Sequence, residues 1–330
     1  GMNGHLEHVT VSGPFGQPVD CAYGLIQDSM TAVIEMSGAA GITLVPAEDL
    51  NPLKATTYGV GEVIADAIKK GCRHFIIGIG GSATNDGGAG MLQALGFGLL
   101  DDDGREIPRG AEGLEKLAVI TTDQVIPELS ECTFRIACDV TNPLCGSNGC
   151  SSVFGPQKGA GPEDIEKMDR CLARYAKVAR ALHPDADPEF PGTGAAGGMG
   201  FAFRTFLPAK LESGIQIVLE ETRLESYLKD ADLIITGEGR LDCQTAMGKV
   251  PVGVANLAKA HGKPVIAFAG SVTDDASACI ECGIDAYFPI VRGVSTLEEA
   301  CDNENARKNM AASAEQAARL IKLTLSFSIK

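Results

Sequence analysis

The sequence of 330 residues contains no tryptophan, 5% aromatic residues and no apolar run as long as ten residues. A membrane-spanning helix needs about 20 apolar residues, so the short runs argue against a transmembrane segment. The first residues also lack the basic and apolar regions of a secretory signal peptide. These absences predict a cytoplasmic globular protein, for which 45% hydrophobic and 22% charged residues are ordinary proportions.

The sequence also lacks an excess of positive charge. It has 28 Lys and Arg residues against 43 Asp and Glu residues, a formal net charge of −15. Nucleic acids and acidic membrane surfaces bind basic faces, so this balance argues against both partners. Anionic small molecules remain compatible with it, because a few local Lys and Arg residues, backbone N–H groups and a divalent cation suffice to hold them.

A disulfide framework and a zinc site are both poorly supported. The 11 cysteines are odd in number and scattered, which favours reduced thiols. Cys279 and Cys282 form the one CxxC pair, with no second pair at zinc-finger spacing and no neighbouring histidine.

Glycine, in contrast, is abundant, and the stretch Gly78–Gly90 (GIGGSATNDGGAG) concentrates it. An apolar run precedes this stretch and MLQALGFGLL follows it, which predicts a buried strand, a glycine-rich loop and a helix. Such a loop brings backbone N–H groups close to an anion. A tight turn without a ligand is the alternative. Four polar side chains favour a ligand site: Ser82, Thr84, Asn85 and Asp86.

The first two thirds of the chain mix strands with helices. Residues 8–36 are expected to form short antiparallel strands. The apolar spacing predicts amphipathic helices over Thr56–Lys70 and from Pro162 to about Leu182.

From Gly214 onwards, strands and helices are expected to alternate, beginning with Ile215–Glu220 as a strand. Ser295 and Glu298 have the spacing of a capping box at the start of the last helix. This alternation is typical of a parallel, doubly wound sheet. Ligands of such sheets bind beyond the carboxyl ends of the strands, where GEGRLDCQT is expected to lie.

Five polar, glycine-rich segments carry the residues that phosphoryl transfer requires. Backbone N–H groups bind phosphates, carboxylates hold Mg²⁺ or accept a proton, and Lys and Arg neutralise the transferred group. The P-loop pattern is absent, and GEGRLD lacks the third glycine of the dinucleotide fingerprint. The segments are GIGGSATNDGGAG, CDVTNPLCG, FGPQKGA, GTGAAGGMG and TGEGRLDCQTAMGKVP.

Each segment has a structural alternative. Asp139 could cap a helix or turn, Lys158 could be a solvated loop residue, and GAAGGMG could mark a close helix contact. Arg240 and Asp242 could form an internal ion pair. The coincidence of all five segments in one chain favours the functional interpretation.

These segments resemble, in the same order, those of the bacterial type I glycerate kinase family. The resemblance spans roughly residues 9–300 and rests on GIGGSATNDGGAG, CDVTNPL, VFGPQKGA, GAAGGMG and ITGEGRLDCQT…GKVPVGVA. It implies a kinase that uses ATP and Mg²⁺ and phosphorylates D-glycerate, typically at the 2-hydroxyl.

The resemblance also implies an α/β fold of two domains with the active site in the cleft between them. One domain is a flavodoxin-like doubly wound parallel sheet, expected at 52–100 and 213–330. The other is a mixed α/β domain resembling a restriction endonuclease, expected at 1–51 and 101–212. The family's APDSFK-like opening strand and ADGGEGT-like loop are not found here, so the flavodoxin-like sheet is expected to lack its first strand.

The expected site residues follow from the same motifs. Asp86, Asp139 and Asp242 are candidates for Mg²⁺ coordination or for the general base, and the sequence does not rank them. Lys158, Arg240 and Lys249 are expected to hold the phosphates or the glycerate carboxylate. The expected binding residues are Gly80, Gly81, Ser82, Thr84, Asn85, Asn142, Gly197, Gly198, Gly237, Glu238, Gly239, Gln244 and Thr245.

The sequence leaves two alternatives to a glycerate kinase. A truncated, non-catalytic remnant would still bind nucleotide or glycerate. A dehydrogenase is disfavoured, because no GxGxxG follows a strand with an acidic residue downstream.

Overall fold

The structure is a computed structural model that describes residues 4–327. The chain divides into two compact units, unit 1 (Gly1–Ile217) and unit 2 (Val218–Lys330). No helix within the described residues has both the length and the hydropathy of a membrane span.

The strands of unit 1 form one large sheet and one small antiparallel pair. In chain order they are β1 (His5–Ser12), β2 (Pro18–Ile26), β3 (Thr31–Glu35), β4 (His74–Gly78), β5 (Gly98–Leu100), β6 (Val119–Thr121), β7 (Thr133–Ala137) and β8 (Ala209–Glu212). The large sheet has the order β1-β2-β3-β4-β7-β8, and β5 pairs with β6. Strands β1 to β3 pair antiparallel, as predicted for residues 8–36. Strands β3, β4, β7 and β8 pair parallel, so β4 and β7 end at the same edge.

Helices pack against this sheet in one continuous core. They are α1 (Ser37–Ala40), α2 (Tyr58–Lys69), α3 (Ala89–Ala94), α4 (Cys150–Phe154), α5 (Pro162–Leu182) and α6 (Ala195–Phe206). The next helix in the chain is α7 (Gly214–Glu221), of which residues 214–217 belong to unit 1 and the rest to unit 2. The predicted helices over Thr56–Lys70 and Pro162–Leu182 are confirmed as α2 and α5. The core includes side chains from the sheet and from α2, α3, α5 and α6, and Phe75 of β4 stacks on Phe134 of β7 with ring centroids 4.7 Å apart.

Unit 2 contains a parallel sheet of order β11-β10-β9. Its elements are α8 (Leu224–Leu228), β9 (Ile234–Leu241), α9 (Cys243–Ala246), α10 (Val250–Ala260), β10 (Val265–Val272), α11 (Ala278–Glu281), β11 (Ala286–Pro289), α12 (Leu297–Cys301) and α13 (Asn303–Phe327). Apolar side chains of β9, β10 and α10 form its main core. The predicted alternation of parallel strands with helices is confirmed here.

Two local predictions were wrong. Residues 215–220 lie in helix α7 and not in a strand. The amide of Gly214 at the helix start donates to Asp139 Oδ1 at 2.9 Å, a contact across 75 residues that the local apolar pattern does not specify. The capping box of α12 lies one residue later than predicted. Thr296 Oγ1 accepts from the Glu299 amide at 3.2 Å, and Glu299 Oε2 accepts from the Thr296 amide at 3.1 Å.

The division into units also differs from the predicted domain boundaries. The sequence predicts one domain from 52–100 and 213–330, but β4 within the first range hydrogen-bonds to β3 on one side and to β7 on the other. This pairing places 52–100 in unit 1, together with 1–51 and 101–212. Strand neighbours are set by contacts distant in sequence, which the local pattern does not specify.

Candidate active site

The predicted site residues fall into two groups, one in each unit. In unit 1, several of them line a cavity of about 400 Å³, called here the loop pocket. In unit 2, they surround the short helix α9 and are called here the α9 cluster, which consists of Glu238, Arg240, Asp242, Thr245 and Lys249.

The loop pocket lies at the carboxyl ends of two neighbouring parallel strands. Ile79–Ser82 directly follow β4, and residues 137–140 end and follow β7. This is the edge where parallel sheets bind ligands. The lining residues are Ile42, Ile79, Gly80, Gly81, Ser82, Ala137, Cys138, Asp139, Val140, Phe154, Gln157, Lys158, Ala195 and Ala196.

Lys158 is the buried cation of this pocket, at 2% exposure. Its Nζ donates to Ser82 Oγ and to the Thr84 carbonyl, both at 2.7 Å. Burial lowers the pKa of Lys158 to about 8, against smaller opposing effects of Cys150 and Asp86. A lysine ammonium has three donors, and two are used, so one remains for a ligand. The arrangement therefore suits a carboxylate or phosphate oxygen.

Asp86 is fully buried and lies outside the set of residues that line the loop pocket. Its Oδ2 accepts from the amide and hydroxyl of Thr57 at 2.8 and 2.9 Å and from the Gly90 amide at 3.2 Å. Its Oδ1 accepts from the Gly88 amide at 3.1 Å. Burial raises the pKa of Asp86, and these four donors lower it. The carboxylate thus ties the amino-terminal ends of α2 and α3 together.

Thr84 and Asn85 are also fully buried and outside the pocket lining. Asn85 Nδ2 donates to Ser151 Oγ at 2.8 Å. Among the described residues, Thr84 Oγ1 and Asn85 Oδ1 have no hydrogen-bond partner. From the glycine-rich loop, the lining set contains Ile79, Gly80, Gly81 and Ser82, so the loop contributes mainly backbone and one hydroxyl.

Gly197 and Gly198 pack against the glycine-rich loop and lie outside the set of residues that line the loop pocket. Both have left-handed backbone conformations, with φ of 65° and 93°. A Cβ at Gly197 would lie 2.1 Å from the Thr84 carbonyl oxygen, and the Gly87 amide donates to the Gly197 carbonyl at 2.9 Å. The neighbouring Ala196 lines the pocket with φ of 52°, a costly conformation for a residue with a Cβ.

Asp139 is the exposed carboxylate of the loop pocket. Its Oδ1 accepts from Ser213 Oγ at 3.1 Å and from the Gly214 amide at 2.9 Å. It therefore caps α7, as the structural alternative held, and also faces the cavity. Asn142 lies outside the lining set, and its Nδ2 donates to the Asn148 carbonyl at 2.9 Å.

The α9 cluster is built around Asp242, the residue before α9. Its Oδ1 accepts from the amides of Gln244 and Thr245 at 3.0 and 3.2 Å. The Thr245 hydroxyl in turn donates to Glu238 Oε1. These bonds fix the loop between β9 and α9, while the Gln244 side chain is exposed.

Two cations flank Asp242. Arg240 Nε lies 3.7 Å from Asp242 Oδ2, and Lys249 Nζ lies 3.8 Å from Asp242 Oδ1. Their side chains are largely exposed, so both pairs are loose and solvent-screened. Their charge stays accessible to an anionic ligand at the carboxyl end of β9.

The glycines of β9 serve two different purposes. A Cβ at Gly237 would lie 2.3 Å from the Phe268 carbonyl oxygen of the neighbouring strand, whereas one at Gly239 would have no heavy atom within 4 Å. A side chain at Gly237 would collide with the neighbouring strand, whereas the space beside Gly239 is open.

The carboxylates differ in their fit to Mg²⁺. Residues 4–327 contain no group of three or more His, Cys, Asp or Glu side chains placed to hold a metal. Asp86 does not fit, because its oxygens accept four hydrogen bonds inside the core. Asp139, which is exposed, and Asp242, whose side chain is 18% exposed, fit as single carboxylates, since Mg²⁺ is commonly held by one or two carboxylates together with substrate phosphates.

Sequence reasoning missed several residues of the site. Cys138 and Ala196 line the pocket, and Thr57 and Ser151 hold Asp86 and Asn85 in place. Cys138 directly precedes the predicted site residue Asp139 at the end of β7, so its place in the sequence could have identified it. Thr57 and Ser151 lie 29 and 66 residues from their partners, so local sequence gives no signal for them.

Several known proteins that are similar to this chain are named glycerate kinases. A family model described as "Glycerate kinase family" matches residues 1–322. The glycerate 2-kinase of Escherichia coli (strain K12) is 51% identical over 298 residues, which are 90% of this chain and 78% of that protein. The glycerate kinase of Bacillus subtilis (strain 168) is 47% identical over 321 residues, 97% of this chain and 84% of that protein.

A solved structure agrees with these matches. A crystal structure of a protein described as glycerate kinase 2 from Salmonella typhimurium LT2 has a TM-score of 0.87 and 48% sequence identity. The match covers 98% of this chain and 84% of that one.

Proposed function

Because the chain belongs to the glycerate kinase family, we propose that it transfers the γ-phosphoryl group of ATP to the 2-hydroxyl of D-glycerate. The products are 2-phosphoglycerate and ADP. ATP is the co-substrate of this kinase family. The assignment of D-glycerate to the loop pocket rests on the buried ammonium of Lys158, which has one donor left. The same cavity also contains the Asp139 carboxylate.

The loop pocket is proposed to bind the acceptor, D-glycerate. The third donor of Lys158 binds the glycerate carboxylate, and the Ser82 hydroxyl, held by Lys158, lies beside it. A cavity of about 400 Å³ is near the small end of the range of ligand pockets. Gly80 and Gly81, both exposed, allow the substrate to approach the backbone.

Asp139 is proposed as the general base. It is exposed in the same cavity as Lys158. As the glycerate oxygen forms its bond to the γ-phosphorus, Asp139 accepts the hydroxyl proton, and the bond between the γ-phosphorus and the β–γ bridging oxygen breaks to release ADP.

The α9 cluster is proposed to bind the phosphates of ATP. Arg240 and Lys249 supply accessible positive charge, and the open space beside Gly239 allows close approach. Neutralisation of charge on the transferred group is the main contribution of such side chains.

Mg²⁺ bound with ATP would supply further neutralisation of the phosphate charge. Asp242, which lies beside Arg240 and Lys249 in the α9 cluster, is the proposed carboxylate for it, from the fit described above. Asp86 is proposed as a positioning residue that holds the glycine-rich loop, through its bonds to Thr57, Gly88 and Gly90.

We also propose a fold for each unit and a cellular compartment for the protein. The parallel sheet of unit 2 supports a flavodoxin-like domain there, and the mixed sheet of unit 1 supports the domain that resembles a restriction endonuclease. All 11 cysteines are unpaired, which supports the reducing cytoplasm.

A coupled assay with ATP, MgCl₂ and D-glycerate tests the function. We expect ADP release that depends on D-glycerate, with 2-phosphoglycerate identified by enolase coupling. Formation of 3-phosphoglycerate would contradict the proposed hydroxyl. Binding of both substrates by calorimetry without turnover would instead support the non-catalytic remnant.

A further inference from the structure

One face of helix α5 concentrates positive charge in a chain whose net charge is −15. Lys167, Arg170, Arg174 and Lys177, called here the α5 cation face, are spaced by three, four and three residues. At 100° per residue this spacing places all four within about 80° of one another around the helix, along about 15 Å of its length.

The acidic partners of the α5 cation face neutralise it incompletely. Lys167 Nζ lies 3.2 Å from Glu115 Oε2, and Arg170 Nη1 lies 3.8 Å from Glu166 Oε2, a loose pair. Lys177 makes no ion pair among the residues that the structure describes.

Arg174 is held in a fixed position without being neutralised. Its Nε donates to the Leu117 carbonyl at 2.6 Å. The rest of the guanidinium can bind a ligand, and its orientation is set in advance.

These four cations line a common cavity of about 490 Å³. Its lining consists of the α5 cation face with Glu115, Cys171 and Ala173. It shares no lining residue with the loop pocket. Its volume is that of a site for a small molecule. Its four cations outnumber the two carboxylates that pair with them, those of Glu115 and Glu166, so a bound anion would relieve the remaining repulsion.

We propose that the α5 cation face binds a small molecule that carries two or more phosphate or carboxylate groups. Two such groups allow the ligand to contact more than one of the cations, which are distributed along about 15 Å of the helix. A nucleic acid backbone would need a much longer basic surface and would be repelled by the remaining acidic surface.

Calorimetric titration with inorganic pyrophosphate, in metal-free buffer at low ionic strength, tests the proposal without relying on kinase activity. The test variant is the double substitution Arg170→Gln and Lys177→Gln, because both side chains are exposed and glutamine has a similar helix propensity. The matched control is Arg307→Gln with Lys308→Gln, which removes two exposed cations from α13.

We expect pyrophosphate to bind the wild-type and control proteins with equal affinity and to bind the test variant at least tenfold more weakly. Kinase activity without pyrophosphate should be the same in all three proteins. Equal weakening in both double variants would indicate a general charge effect and would overturn the proposal. Failure of pyrophosphate to bind the wild-type protein, or unchanged affinity in the test variant, would also overturn it.

Discussion

The loop pocket and the α9 cluster use the same residue types but hold them in opposite ways. In the loop pocket, Lys158 is buried and bonds to Ser82, 76 residues away in the chain. In the α9 cluster, Asp242 bonds to residues two and three positions later, and its flanking cations are exposed.

The difference shows what each group is suited to do. A buried ammonium in a small cavity is rigid and selective, because its geometry is fixed by the core. Exposed cations on a short loop adjust to a flexible, highly charged ligand, but each contributes less because solvent screens it. Substitutions should therefore have larger effects in the loop pocket than in the α9 cluster.

The largest expected effect is on catalysis by Lys158→Met. Removal of the cation proposed to bind the glycerate carboxylate should lower kcat/KM for D-glycerate by about 10²- to 10³-fold, a range typical of lost electrostatic contacts in active sites. Steady-state assays would measure it, with circular dichroism to verify folding. Lys210→Met, which alters an exposed lysine of β8, is the control and should change kcat/KM less than twofold, as a roughly neutral surface substitution.

The next largest effect is on stability. Asp86→Asn keeps the side-chain shape but places an amide N–H₂ group against backbone donors, so we expect a loss of about 3 kcal/mol in the free energy of unfolding. Urea unfolding of wild type and variant would measure this loss. A change below about 0.5 kcal/mol would show that the Asp86 carboxylate does not hold α2 and α3 together.

The pH dependence of activity should show the loss of the Lys158 charge in the wild-type protein. Since the pKa of Lys158 is lowered to about 8, its charge is lost above that pH. We then expect kcat/KM for D-glycerate to fall about tenfold per pH unit. This decline should be absent in Lys158→Met.

The contribution of Lys158 to stability should rise with pH, whereas activity should fall. The folded pKa of Lys158 lies below its ordinary value of 10.5. Between pH 8 and that value, the unfolded chain binds more protons than the folded one, so the contribution of this residue to stability rises with pH. Urea midpoints of wild type and Lys158→Met across this interval would test the sign.

The smallest expected effect is at the α9 cluster. Asp242→Ala removes the cap of a short, half-exposed helix and should cost about 1 kcal/mol, well below the effect of Asp86→Asn. Urea unfolding of the two variants under the same conditions provides the comparison. An equal or larger loss for Asp242→Ala would reverse the contrast between the two groups.

Sequence patterns predicted the features that depend on neighbouring residues. The apolar spacing of α2 and α5 specifies amphipathic helices, and the glycine-rich stretch was correctly expected between a strand and a helix. The inward orientation of the Asp86 side chain was not predictable in this way, because its partner Thr57 lies 29 residues away in the chain. The position of β4 between β3 and β7 was missed for the same reason.

The most direct test of the account is the affinity of D-glycerate, without ATP, for the wild-type protein and for Lys158→Met by calorimetry. If the loop pocket binds the acceptor through Lys158, the wild-type protein should bind D-glycerate and the variant should bind it at least tenfold more weakly, about 1.4 kcal/mol. Equal affinity in the two folded proteins would contradict the assignment of the loop pocket as the glycerate site.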